Sequence, residues 1–345
     1  MSKSDALQRN LQLILRDRQR RGWQLEPPAP GTLTDMVDFG SNDTLSLSSS
    51  GLLGKQFLKE LGKYPNFILG GRASRWGEGS TEYLLQLEEY IAKFHKAESA
   101  LFFQTGMDGD AAPLEAIVRE VKEQLPHGNA VFVIDEAHST GLVGPQGSGL
   151  VSHLGLKKEF SIRVHTFGKA HGASGAVVLS SRECKQVLLS CVRGLIFSTA
   201  PTFTTLAAVK AGYSILASAE GERRRDLVRS NINLFYDSIS KHVSWPSCQH
   251  LGIITVPVKP TPDTAMSPII PIIAPHGGAA ALGQFLSKER FRVLAVHFPV
   301  VPKDRERVRI NLHADHTSDQ TLSLVNLIIE WTQSRRRAGT SESHL

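Results

Sequence analysis

An α/β protein is predicted, with a mostly parallel sheet in a large domain and a smaller α+β domain after it. Three observations carry this. Amphipathic helices alternate with short, continuously apolar segments between about 80 and 180, as in sheets covered on both faces. Polar residues collect directly after two of those segments, where parallel sheets gather functional groups. From about residue 250 the texture changes to short strands interleaved with helices.

Residues 5–22 are predicted as a helix with Ala6, Leu11, Leu13, Ile14 and Leu15 among many charges. Pro27, Pro28 and Pro30 break it, which marks an N-terminal arm over 1–47. Thr81 opens a strongly amphipathic helix. Leu84, Leu87, Ile91 and Phe94 share one face, and Glu82, Glu88, Glu89 and Lys93 are assigned to the other. A strand over 100–103 turns at Thr105-Gly106, and a helix over 113–123 leads to the apolar strand 130–134, which ends at Asp135. Strands at 163–167 and 175–179 and helices at 182–193, 203–219 and 222–243 follow. The last part reads as strands 252–258 and 268–273, helix 278–289, strands 292–298 and 307–312, and helix 318–334. The expected domains are 48–218 and 219–337, with a disordered tail at 338–345.

Composition narrows the class. Of 345 residues 41% are hydrophobic and 21% charged, which excludes a disordered or fibrous chain. The longest apolar candidate, 195–219, is broken by Ser198, Thr199, Pro201 and Lys210, so no membrane span is expected. The first six residues lack the apolar run of a secretory signal. The net charge of +6 collects in Arg16–Arg21 and Arg335–Arg337 without interleaved aromatics, which reads as a solvated basic face and not a nucleic-acid site. Cys184, Cys191 and Cys248 have neither metal nor redox spacing, a reducing-compartment pattern.

The two rich strand ends are Asp135-Glu-Ala-His138-Ser-Thr-Gly141 and His165-Thr166-Phe-Gly-Lys169-Ala-His-Gly172. A lysine in such a setting can form a Schiff base with an aldehyde cofactor, and burial makes its amine nucleophilic. Pyridoxal phosphate (PLP) also needs an anion beside its ring nitrogen, for which Asp135 stands ready. His138 is placed to approach the phenolic oxygen, and Thr166, Ser198 and Thr199 offer hydroxyls to the phosphate. The run DEAH also occurs in helicases, but no GxxxxGK[ST] precedes it here.

DFGSND at 38–43, DEAHSTGLVGPQGSGL at 135–150, HTFGKAHG at 165–172, FSTAP at 197–201 and VRINLHADHT at 308–317 follow one another in a familiar order. They resemble the α-oxoamine synthases, PLP enzymes of fold type I, and most of all their biotin-pathway branch. The resemblance implies condensation of an L-amino acid, first L-alanine, with an acyl-CoA thioester, first pimeloyl-CoA. Loss of CO2 then leaves an α-aminoketone. It implies Lys169 as the Schiff-base lysine and proton carrier, Asp135 at the pyridinium nitrogen, His138 at the 3′-oxygen and Thr166 at the phosphate. Ser198 or Thr199 would come from the partner subunit of a homodimer, Arg309 would grip the amino-acid carboxylate, and Asn42 and Arg21 would line the entrance. Glycine or serine as donor, or a long-chain or polyketide thioester, fits the same chemistry. So does a non-catalytic partner subunit lacking part of the cofactor cleft.

The chain departs from the family at one place. Gly106 is joined straight to Met107 where relatives have a further segment on the order of two βα units, including a histidine that stacks on the cofactor. An open sheet edge is therefore expected, with Val131, Val133 and Leu101 partly uncovered. The final Ser343-His344-Leu345 is close to the S-K-L address read by the peroxisomal import receptor, so a peroxisomal location is expected, with the cytoplasm as alternative.

Overall fold

The computed structural model describes residues 3–20, 35–104, 114–125, 127–261 and 266–342. Arg21, the three prolines of the arm, the Gly106–Met107 junction and the last three residues lie outside the described residues. The chain begins with α1 (Lys3–Arg20), β1 (Val37–Asp38), α2 (Leu52–Leu61) and α3 (Glu82–His95). Then come β2 (Ser99–Phe103), α4 (Leu114–Gln124), β3 (Phe132–Asp135), α5 (Leu150–His153), β4 (Phe160–Thr166) and β5 (Ala176–Ser180). Helices α6 (Arg182–Cys191), α7 (Arg193–Phe197), α8 (Phe203–Leu216) and α9 (Ala219–Lys241) lead to α10 (Trp245–Leu251) and β6 (Ile269–Ile273). The last elements are α11 (Gly278–Lys288), β7 (Phe291–Arg292), β8 (Leu294–Val296), β9 (Arg307–Asn311) and α12 (Ser318–Glu342).

The larger sheet has the order β2-β5-β4-β3. β3 and β4 pair in parallel, while β5 runs antiparallel to both β4 and β2. Three of the four strands therefore point one way and β5 alone is reversed. α3 covers one face because its period matches the core. Leu84, Leu87 and Ile91 pack with Phe102 of β2, Leu179 of β5 and Tyr213 of α8. Thr81 caps this helix by accepting the Leu84 amide.

Glu88 corrects the predicted polar face of α3. It is buried, because Arg75 pairs with both of its oxygens at 2.6 and 3.3 Å and the Phe102 amide donates to it at 2.9 Å. Burial of a carboxylate is tolerated when its lone pairs are used in this way.

Among the described residues β3 is an open edge, and Val131 just before it and Val133 within it are 71% and 58% exposed, as expected. Leu101 corrects that expectation, for it is fully buried. An edge strand exposes backbone N–H and C=O groups, whereas its side chains stand perpendicular to the sheet and stay under whatever covers that face.

The smaller sheet is antiparallel, in the order β6-β9-β8. Ile270, Ile272, Val308 and Ile310 pack with Leu324 and Ile328 of α12. Phe39, Leu45 and Leu47 join this same core, and β1 pairs with β7, so the strap 37–47 is fastened to the C-terminal part. The strand expected at 252–258 is reduced to one bridge, Thr255 to Ile273, because α10 ends at Gly252 in a left-handed cap. The strand expected at 292–298 is split between β7 and β8, which serve different sheets. α12 runs to Glu342 and so into the expected tail, since Arg335–Ala338 are strong helix formers. No helix among the described residues is long and apolar enough to cross a membrane.

Candidate active site

The parallel pairing of β3 with β4 sets Asp135 opposite Val164, so the chain leaves both strands side by side. After β3 the Ala137 amide turns back to Asp135 Oδ1 at 2.8 Å, which starts the tight run 136–140. After β4 the loop is closed by Gly172 N to Lys169 O and Ala173 N to Phe167 O, both 2.8 Å. Phe167, Ala170 and His171 are buried as its anchors while Lys169 remains partly accessible. These two turns bring Lys169 Nζ to 3.2 Å from His138 Nε2. Asn42, Thr44, Ala137 and Pro268 line the same small cavity.

Asn42 arrives there on the strap. Arg309 Nη2 donates to Gly40 O at 2.9 Å, Asn311 Nδ2 to Ser41 O, and His313 Nε2 to Ser41 O at 3.1 Å. Residues 309, 311 and 313 alternate along an extended segment, so their side chains share a face. His316 Nε2 adds a bond to Asp38 O at 2.9 Å. Burial pushes the His316 pKa down to about 4, so this ring is neutral and donates through Nε2 near neutral pH. Arg309 is thus tied to the strap that carries Asn42.

Thr166 Oγ1 and Asn42 Oδ1 are buried with no hydrogen-bond partner among the described residues. A buried hydroxyl without a partner costs free energy unless a ligand satisfies it, and a phosphate oxygen would. With the carboxylate of Asp135 on the neighbouring turn, the residues present fit PLP. Ser198 and Thr199 are exposed after α7, and Thr199 touches another part of this chain: its carbonyl accepts from Gln104 Nε2 at 2.8 Å, and its backbone bridges to Ser74.

One pair was not singled out from the sequence. Glu136 and His165 are almost fully buried, and Glu136 Oε2 lies 3.2 Å from His165 Nε2, without the alignment of a hydrogen bond. Glu136 Oε1 also accepts the Val151 amide at 2.9 Å and the Ser139 hydroxyl at 3.2 Å. Burial pushes the Glu136 carboxyl up, but His165, the Val151 amide and the Arg163 charge outweigh it and hold the pKa below the usual value. Gly149 has φ +105°, and a Cβ there would meet Glu136 Oε1 at 2.5 Å. Gly149→Ala is therefore expected to destabilise the fold by about 2–4 kcal/mol, read by urea unfolding; an unchanged midpoint would refute this packing.

Beside the turn, a cleft of about 380 Å³ follows the open edge of β3. Ile117, Val118, Phe132 and Phe160 form its walls, and it ends at Asp135 and His138.

Fold and site together define a PLP-dependent enzyme of fold type I. The model of the family "aminotransferase class I and II" matches residues 104–328, and the chain belongs to that family, within its PLP-dependent α-oxoamine synthase branch of acyltransferases. It is 28% identical to an aminoacyl transferase sphA of Byssochlamys spectabilis over 413 positions, covering 95% of this chain and 88% of the relative. It is 29% identical to an 8-amino-7-oxononanoate synthase of Emericella nidulans over 381 positions, covering 86% and 89%. Both alignments are longer than the 345-residue chain, so each relative has residues that this chain lacks. Among solved structures, the Sphingomonas wittichii serine palmitoyltransferase shares the fold with a TM-score of 0.73 at 18% identity, covering 96% of this chain and 98% of that one. The Francisella tularensis 8-amino-7-oxononanoate synthase gives 0.64 at 20%, covering 87% and 99%.

Proposed function

We propose that this chain joins an L-amino acid to an acyl thioester with loss of CO2 and releases an α-aminoketone. The observation that carries it is the 3.2 Å approach of Lys169 Nζ to His138 in a cavity edged by Asn42. PLP, when bound, supplies the electron sink that lets the Cα–H bond break. Lys169 holds the cofactor and moves the Cα proton through Nζ. His138 orients Nζ and would face the cofactor's 3′-oxygen, and Asp135 would face its ring nitrogen. Thr166 would donate to the phosphate from within the chain, joined by Ser198 or Thr199 from the other subunit of a homodimer. Arg309 would take the amino-acid carboxylate through its guanidinium, Asn42 would border the entrance, and Arg21, outside the described residues, is proposed to join it. L-Alanine is the proposed donor. The product named by the 8-amino-7-oxononanoate synthases pairs it with a pimeloyl thioester, and that acyl half is taken up below.

Titration with PLP is expected to raise a visible absorbance band that borohydride removes, and no band at saturating PLP would end this reading. Cα-proton exchange ranks the donors: faster exchange with glycine or serine than with alanine would displace L-alanine. Thr166→Val moves two quantities in opposite directions. PLP binding is expected to weaken about tenfold or more through loss of a charge-assisted bond, while the cofactor-free protein gains about 1 kcal/mol because a buried hydroxyl without a partner is removed. Equal PLP affinity in both proteins would take Thr166 out of the phosphate site. We also propose the peroxisome as location. A fluorescent fusion of the last ten or so residues is expected to become punctate and to disperse when Leu345 is deleted.

A further inference from the structure

We propose that the cleft along β3 holds the acyl chain of the thioester and accepts an uncharged aliphatic chain in preference to one ending in a carboxylate. This deepens the acyl-transfer reading above and rests on it. The cleft and the Lys169 cavity share His138 and Pro268, so the two spaces meet at the reacting end. An acyl chain lying along β3 has its thioester carbonyl beside His138 and its tail among Ile117, Val118, Phe132 and Phe160. Those walls come from α4 and two strands, and Val118 and Phe160 are buried together with Val151, so the trough is packed and pre-formed.

Charge decides which chain fits. Among the described residues lining the cleft, Asp135 and Glu136 are the charged ones, and no lysine or arginine is present. A carboxylate at the far end of an acyl chain would give up part of its water against this wall and find no cation among the described lining residues, because both charged groups stand at the reacting end. A methyl-ended chain meets only apolar wall. The ω-carboxylated thioester implied by the biotin-pathway branch is therefore the poorer substrate here.

The test uses two matched sets of acyl-CoA thioesters, one unbranched and one ω-carboxylated, with binding to the PLP-loaded chain followed by calorimetry and turnover followed with L-alanine. Affinity in the unbranched set is expected to rise about fourfold with each added methylene. The ω-carboxylated partner of equal length is expected to bind about tenfold more weakly. Ile117 is 41% exposed, so Ile117→Lys places an ammonium on the wall without burying it, and it is expected to recover about tenfold for the ω-carboxylated set. Equal or tighter binding of the ω-carboxylated set by the unaltered chain, or no dependence on length, overturns the proposal. Cα-proton exchange without any thioester separates the two readings. Its absence refutes the acyl-transfer reading, whereas exchange with an inverted acyl preference refutes the cleft assignment alone.

Discussion

A Lys169→Ala chain is expected to exchange the Cα proton of its amino acid about ten-thousandfold more slowly than the unaltered one, and to show no visible band with PLP. The reason is positional. The loop 167–173 is closed by two backbone bonds and anchored by buried Phe167, Ala170 and His171, and its exit aims Nζ at His138, 3.2 Å away. Removing the amine takes away both the attachment point and the proton carrier. The fold is expected to survive, because Lys169 is only partly buried and its neighbours hold the loop; unfolding free energy should move by about 0.5 kcal/mol or less. Lys169→Arg sharpens the test, since a guanidinium keeps the charge and the reach but cannot give up its proton near neutral pH. It is expected to be as inactive as alanine. Exchange measured by deuterium incorporation that persists in either variant would show that another group carries the proton.

The positions of Lys169, His138, Asp135 and Thr166 were legible in the sequence because each lies at or just after a strand end, and a strand end is a local feature. What stayed hidden depends on partners far along the chain. Glu88 reads as a solvated helix residue until Arg75, from the loop before the helix, folds onto it. Glu136 and His165 meet only through the register of β3 with β4, which no local pattern encodes. The clamp of Arg309, Asn311 and His313 on residues 40 and 41 spans most of the chain length, so the quoted motifs DFGSND and VRINLHADHT were visible but their contact was not. Leu101 shows a different limit. The open edge was foreseen, yet an edge says nothing about which face is covered. The cleft along β3 has the same origin, since it exists because α4 lies where the sheet stops.

Lowering the pH from 6.5 to about 4.5 is expected to remove about 2 kcal/mol of folding stability through His171 alone. His171 is fully buried, its ring packs 4.8 Å from Phe167 and 4.9 Å from Tyr213, and neither ring nitrogen has a partner among the described residues. Gly212 makes the space, since a Cβ there would lie 2.2 Å from the imidazole. Burial pushes its pKa from 6.5 down to about 3. The unfolded chain therefore binds a proton that the folded chain refuses between these two values. Stability is whole above pH 6.5, falls by about 1.4 kcal/mol per pH unit below it, and levels off near the folded pKa. His95, also fully buried, is held well below the usual imidazole value first by burial and then by the charge of His165, and it adds loss of the same sign. The depressed carboxyl of Glu136 adds a further loss only below the ordinary carboxylate range. Against a total stability of about 5–15 kcal/mol these losses are large, so the chain is expected to be acid-labile well above the pH at which its carboxylates titrate. Urea unfolding at several pH values measures the slope, and His171→Leu is expected to flatten it by about one proton without loss at pH 7, because the leucine replaces a buried ring that makes no hydrogen bond. Equal slopes in both proteins would mean that the folded chain admits the proton, and that the space around His171 opens to water.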